Sequence, residues 1–236
     1  MSSSARSFTD IVRARRSVRG FVPDPVPAAD IRAVLEDAQR APSNCNTQPW
    51  QVHIVSGARR DALSARLLEA DRDGRTSPDF SFDYADFGDG TYRRRAREQG
   101  AAYYRSLGVE RSDAHGRHAA ALRNLEFFDA PHVALLFMPR FGDGVRVAGD
   151  MGMYAQTFLL ALQARGLAGI PQTMLGFYAD VVREALGIQP EMKLLFGVSF
   201  GWPDPQGPAN RYRMGRVPLH ESVVAHDTPG ILDEAP

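Results

Sequence analysis

Apolar and polar positions follow two periods along the chain, and the switches between them mark its elements. Helical spacing joins Phe8, Ile11 and Val12 over residues 8–16, with Thr9 or Asp10 as the expected cap. The same spacing joins Ile31, Val34, Leu35 and Ala38 over 28–40, behind Pro25 and Pro27, and Leu63, Leu67 and Leu68 over 58–70. Residues 51–55 alternate as a short strand, with Trp50, Val52 and Ile54 on one face and His53 on the other. Helices are expected over 92–107 and 112–128, the second turning Leu122, Leu125 and Phe128 inward. The unbroken apolar run 133–138 predicts a central strand buried on both faces, and 194–200 predicts a second. Between them, residues 146–165 form a helix that is apolar on nearly every side, which suits either a core helix or a subunit contact. Gly166 and Gly169 stop it, 170–177 reads as a loop, and a short helix over 180–186 ends at Gly187.

Two stretches follow neither period. Ala41-Pro42-Ser43-Asn44-Cys45-Asn46-Thr47-Gln48-Pro49-Trp50 packs amides, a hydroxyl and an indole between two prolines, which fix φ and remove two backbone donors. Such a loop is rigid and offers polar groups outward, as the wall of a ligand site does. Residues 71–92 carry Phe80, Phe82, Tyr84 and Phe87 among glycines and aspartates. Four aromatics argue against disorder, leaving an aromatic flap over a pocket or a loop that packs on the core.

Composition narrows the function classes. Lys+Arg and Asp+Glu stand at 28 each in 236 residues, so no net field recruits nucleic acid or an acidic membrane surface. Lys193 is the only lysine, leaving arginine forks to carry nearly all the positive charge. Cys45 is the only cysteine, which rules out an intrachain disulfide. With no signal-like or membrane-length apolar segment, the expectation is a cytoplasmic protein of one domain over residues 1–236.

The candidate chemistry is cationic. Arg15-Arg16-Ser17-Val18-Arg19 closes the first helix, and Arg211, Arg213 and Arg216 stand in a Gly- and Pro-rich tail over about 202–236. The N-terminal corner is either a solvated charge run or a phosphate site, because a dianion needs several convergent donors. Gly176 allows backbone to approach a flat ligand. His115 and His118 lack a third ligand in place and are expected to face solvent, with no metal assigned. The Gly-x-Gly-x-x-Gly, Gly-x-Ser-x-Gly and Walker patterns are absent.

Four motifs in order, Arg15–Arg19, Ala41–Trp50, Gly169–Gly176 and Gly215-Arg216-Val217-Pro218, resemble the FMN-dependent nitroreductase family over nearly the whole chain. The resemblance implies an α+β fold with a central, mostly antiparallel sheet flanked by helices, in an intertwined homodimer with FMN at the interface. By position, Arg15, Arg16, Ser17 and Arg19 match FMN contacts, and Arg216 reaches the same phosphate, with Arg213 at an unusual offset beside it. Pro42, Ser43 and Asn44 match residues that touch the flavin ring from the other subunit, and Asn46 and Gln48 match polar positions of the same loop. Leu175 and Gly176 fall where backbone N–H groups approach flavin N5 and O4, and Leu175 replaces a glutamate found in many members. Cys45 is left as a small buried side chain. Phe80, Phe82 and Tyr84 form the substrate flap, within a divergent segment over about 71–128.

The implied activity is ping-pong transfer of a hydride from NADH or NADPH, through flavin N5, to a small nitroaromatic or quinone. No side chain is assigned as a catalytic group. A dehalogenase, ene-reductase or dehydrogenase of the same fold is the alternative that a closing aromatic flap favours, and a non-catalytic flavin-binding protein is a more distant one.

Overall fold

The computed structural model describes residues 6–232. Its described strands form one antiparallel sheet in the order β1-β2-β4-β3, where β1 is Gln51–Ser56, β2 His132–Pro139, β3 Ala168–Gln172 and β4 Met192–Gly201. The helices are α1 (Phe8–Ala14), α2 (Ala28–Ala38), α3 (Gly57–Arg72), α4 (Thr91–Ser106), α5 (Ala114–Leu122), α6 (Val145–Ala164) and α7 (Ala179–Leu186).

Alternation along β2 builds the core on both faces. Ala134, Leu136 and Met138 join α2 and α6 through Val34, Ala38, Met151, Tyr154, Phe158 and Leu162. Val133, Leu135 and Phe137 join α3 and α7 on the other face through Leu63, Leu67, Val181 and Val182. As expected from β1, Trp50, Val52 and Ile54 pack on the first cluster, while the His53 ring meets Phe137 edge-on. A third cluster lies beside β3, where Val18, Phe21, Tyr103, Phe128 and Ile170 bring together the N-terminal arm and the α4–α5 region.

The structure corrects the reading of 170–177 as a loop. Its first part is the end of β3, which among the described residues pairs with β4 on one side and carries just the Ser17–Gly169 bridge on the other, and residues 173–177 form a 3-10 turn. Pro171 is tolerated there because an edge strand needs no donor on its outer side. Gly169 is required by packing, since a Cβ at this position would lie 3.0 Å from both Leu159 and Leu162 of α6. The helix expected over 112–128 stops at Leu122, because Phe127, Phe128 and Asp129 take left-handed φ values of 58°, 53° and 65°. That turn buries both phenylalanines, and Arg60 holds it by donating to the Glu126 carbonyl at 2.7 Å. The α1 cap is Ser7 rather than Thr9 or Asp10, in a capping box closed by Asp10.

The base of the 71–92 segment is fixed. Tyr178 donates to Asp71 at 2.6 Å, and Asp79 accepts from Arg183 at 2.5 Å and from the Leu194 backbone at 2.8 Å. Phe80 packs on the first core cluster and so belongs to the core, not to a flap. Beyond it, Phe82, Tyr84 and Phe87 meet one another edge-on at centroid distances of 5.4–5.8 Å, and Phe82 reaches Phe177 at 6.0 Å.

His132 joins the sheet to the entry of α2. Its Nε2 accepts the Val26 N–H at 2.9 Å, so the proton sits on Nδ1, 2.6 Å from the Ser56 hydroxyl. Burial pushes the His132 pKa below its usual value. The neutral ring is therefore the folded form, and the stability it supports is complete above about pH 6.5 and falls as the unfolded chain takes up the proton below that. His132→Gln should cost about 1–3 kcal/mol at pH 7.5 and flatten the decline in unfolding free energy between pH 7 and 5, as measured by urea titration. An equally steep decline in the variant would contradict this account.

Candidate functional site

After α1 the chain becomes extended at Arg15 (φ −59°, ψ 128°) and runs beside β3, where Ser17 forms a parallel bridge with Gly169. The tail returns to the same place. Asn210 is buried and organises the meeting: its Oδ1 accepts the Arg19 N–H at 2.8 Å, and its Nδ2 donates to the Gly20 and Asp204 carbonyls. The Asn210 carbonyl accepts from Arg16 and, at 2.8 Å, from Arg213. Arg19 donates to the Tyr212 hydroxyl at 2.6 Å and lies over the rings of Tyr103 and Tyr212. Sequence reasoning missed Asn210 and Tyr212, whose partners stand some 190 positions away.

Arginines from both ends of the chain thus converge. Burial and then the nearby Arg216 charge lower the pKa of Arg15, and burial and then Arg213 lower that of Arg16. Among the described residues, no carboxylate pairs with Arg15, Arg16, Arg19, Arg213 or Arg216. Like charges held together and partly desolvated need an anion, and forked donors suit the oxygens of a phosphate. The residues present therefore fit a phosphorylated cofactor.

Next to this cluster, a cavity of about 1240 Å³ opens between the outer edge of β3 and α4. Arg19, Tyr103, Ile170, Pro171, Gln172 and Thr173 line one part, and Phe82, Tyr84 and Phe177 bring the flap aromatics to it. Leu175 is fully buried and fills a notch over Gly197, where an added Cβ would lie 2.4 Å from its Cδ1. Its side chain belongs to the core, which leaves only its backbone for a ligand. Gly176 is also buried, and a Cβ there would meet the Leu195 carbonyl oxygen at 3.1 Å, so its small size serves the approach of β4 rather than of a ligand.

The 41–50 loop stands elsewhere. Asn44 N–H donates to the buried Asp150 at 3.0 Å, in the second turn of α6. The Ser43 hydroxyl accepts the Gln48 N–H at 2.9 Å, and Gln39 joins the Gln48 side chain to the Trp50 indole. Cys45, Asn46 and Gln48 all take left-handed φ, a costly arrangement for non-glycine residues that recurs at functional sites. Pro42, Asn44, Asn46 and Gln48 are exposed, and so is Cys45, contrary to its expected burial. Asp150 stands in the second turn of α6, whereas Gly169, the bridge partner of Ser17, packs beside Leu159 and Leu162, roughly 14–18 Å further along that helix. Within one chain, the loop and the arginine cluster do not converge. His115 and His118 are exposed, as expected.

Comparison with known proteins follows the same geometry. Residues 12–202 match the family described as "Nitroreductase family". The chain is 43% identical to nitroreductase NfnB of Mycolicibacterium smegmatis over 219 residues, covering 93% of this chain and 92% of that protein. It is 36% identical to a 4-nitrobenzoate reductase of a Nocardioides species, covering 92% and 89%. Among solved structures, the FMN-dependent nitroreductase NfnB from Mycobacterium smegmatis in complex with NADPH superposes with a TM-score of 0.88 at 42% identity, covering 92% of this chain and 97% of that one. The chain, with its four-stranded sheet and its convergent arginines, belongs to the nitroreductase family.

Proposed function

We propose that this protein is an FMN-dependent, NAD(P)H-dependent nitroreductase acting on nitroaromatic or quinone acceptors. The observation that carries the proposal is the cluster of arginines, drawn from both ends of the chain and lacking carboxylate partners, beside an open cavity at the edge of β3. The relatives' activities, nitroreductase and 4-nitrobenzoate reductase, support it. FMN, when bound, would supply the hydride-transfer chemistry between nucleotide and acceptor, in a ping-pong sequence.

Arg15, Arg16, Ser17, Arg213 and Arg216 hold the phosphate, and Asn210 fixes their relative positions through Arg16, Arg19 and Arg213. Arg19, braced by Tyr212 and Tyr103, brings a fixed positive charge to the cavity. Leu175 and Gly176 contribute backbone only. The aromatic cluster of Phe82 and Tyr84 shields the open side from water and stacks against a flat acceptor.

A homodimer completes the site. Pro42, Ser43, Asn44, Asn46 and Gln48, held near the start of α6 while the arginine arm meets β3 beside its other end, serve the flavin of a second copy, a reading that this separation supports. The intervening helix face is suited to close association, with exposed Met153 and with open space around Gly149 and Gly152. The whole chain acts as one flavin-binding domain. Among the described residues, no helix is long and apolar enough to cross a membrane, and a cytoplasmic location fits the free thiol and the nucleotide donor.

Arg216 is exposed and, within the fold, meets only the Met214 and Gly215 carbonyls, so Arg216→Ala should fold normally. Its FMN dissociation constant should rise about tenfold or more in fluorescence titration, and wild-type retention would refute the phosphate assignment. Gly152→Arg should give a folded monomer that has lost flavin, measured by light scattering and absorbance; a yellow dimer would contradict the proposed interface.

A further inference from the structure

Asp79 and Arg183 form the least accessible of the described ion pairs, with side chains 6% and 10% exposed, and nothing in the chemistry above uses it. Asp79 also accepts the Leu194 N–H at 2.8 Å and has Lys193 Nζ at 3.5 Å. Arg183 donates in addition to Asp180 at 2.6 Å and to the Met192 carbonyl at 3.2 Å. Desolvation leaves a buried pair with little net stability relative to apolar residues of the same size, so stability alone does not account for it. What the pair fixes is position: one residue of the 71–92 segment is joined to α7 and to the start of β4 at once.

The segment held in this way is also bonded to the 173–177 turn. Two positions before Asp79, the Ser77 N–H donates to the Phe177 carbonyl at 2.7 Å, and the Ser77 hydroxyl accepts the Asp180 N–H at 3.0 Å. Three positions after Asp79, the Phe82 ring lies 6.0 Å from that of Phe177. The turn in turn rests on the part of β4 that Asp79 holds. An added Cβ at Gly176 would lie 3.1 Å from the Leu195 carbonyl oxygen, and Leu175 covers Gly197. Asp79, Leu194, the turn and Ser77 therefore close a ring of contacts. Thr173, Met174 and Phe177 from the turn, and Phe82 from the segment, line the same cavity, whereas Asp79 does not.

We infer that Asp79 is a positioning residue for the reaction, holding the Leu175 and Gly176 backbone at the flavin and Phe82 at the acceptor as one unit. The inference rests on the flavin reading above, in which that backbone meets the flavin ring. Hydrogen bonds weaken steeply with misalignment, so opening the ring of contacts weakens the donors that stabilise reduced flavin. The same change loosens the aromatic wall against which the acceptor stacks.

Asp79→Asn keeps the volume and an acceptor for the Leu194 N–H, and Arg183 retains Asp180 and the Met192 carbonyl. This variant should bind FMN with wild-type affinity, since the phosphate cluster lies elsewhere. Its two-electron flavin potential should fall by about 30 mV, a tenfold shift in the reduction equilibrium. In stopped-flow, the nitrobenzene concentration that half-saturates flavin reoxidation should rise about tenfold. Phe82→Leu should raise it in the wild type yet add little in the Asp79→Asn background, because both act through one wall. His132→Gln, which weakens the fold at the entry of α2, is the control and should leave potential and half-saturation unchanged. Equal changes in Asp79→Asn and His132→Gln would overturn the inference, and so would wild-type values in Asp79→Asn or full additivity with Phe82→Leu. If Asp79→Asn does not fold, Ser77→Ala carries the test, with changes of the same sign of about threefold expected and wild-type values overturning the inference. A wild-type protein that takes up no FMN would defeat the flavin reading itself, whereas bound FMN with an unmoved potential in the variants defeats only the role of Asp79.

Discussion

Positive charge held together without a counter-charge is the constraint on which the rest of this structure depends. Arg15 feels Arg216, and Arg16 feels Arg213, in surroundings dry enough to depress both N-terminal guanidinium groups. Repulsion of that kind would spread the two chain ends apart if nothing opposed it. Asn210 opposes it with a carbonyl shared by two arginines and a buried amide bonded to Arg19, Gly20 and Asp204. The fold therefore maintains an arrangement that an anion relieves, which is how a phosphate site is pre-organised.

The sheet places this arrangement beside the cavity. Because β3 is an edge strand, its outer side is free, and the arginine arm takes only the part near Gly169. The remainder, Ile170 to Thr173, is left as the floor of the cavity, with α4 as the opposite wall. On the closed side, Asp79 and Asp71 tie the start of the aromatic segment to β4 and to Tyr178, so any flap begins after Phe80. A fixed charge cluster, an open strand edge and a pinned aromatic segment thus adjoin one another, while the strained 41–50 loop is held near the start of α6.

Much of this was legible in the sequence, for identifiable reasons. Period-two alternation at 133–138 and helical spacing at 28–40 and 146–165 report local geometry directly, and the arginine and Pro-Ser-Asn motifs carry their chemistry in short spans. Features created by distant partners were not. Residues 168–172 become a strand only because β4 pairs with them, against the signal of Gly169 and Pro171. Left-handed Phe127 and Phe128 are held by burial and by Arg60, more than sixty positions earlier. Asn210 looked like one more polar residue in a Gly- and Pro-rich tail, since its importance lies wholly in contacts with residues 16–20.

The central claim is that one flavin site is built from the arginine cluster of one chain and the 41–50 loop of another. A purified heterodimer of Arg216→Ala and Asn44→Trp subunits, made with two different affinity tags, measures this directly, because a composite site leaves both lesions in one site and the other site intact. The account predicts one FMN bound per heterodimer with wild-type affinity, and only weakened binding at both sites of either mutant homodimer. A heterodimer that binds flavin at both sites as weakly as its parents would mean that each chain builds its own site, and would contradict the account.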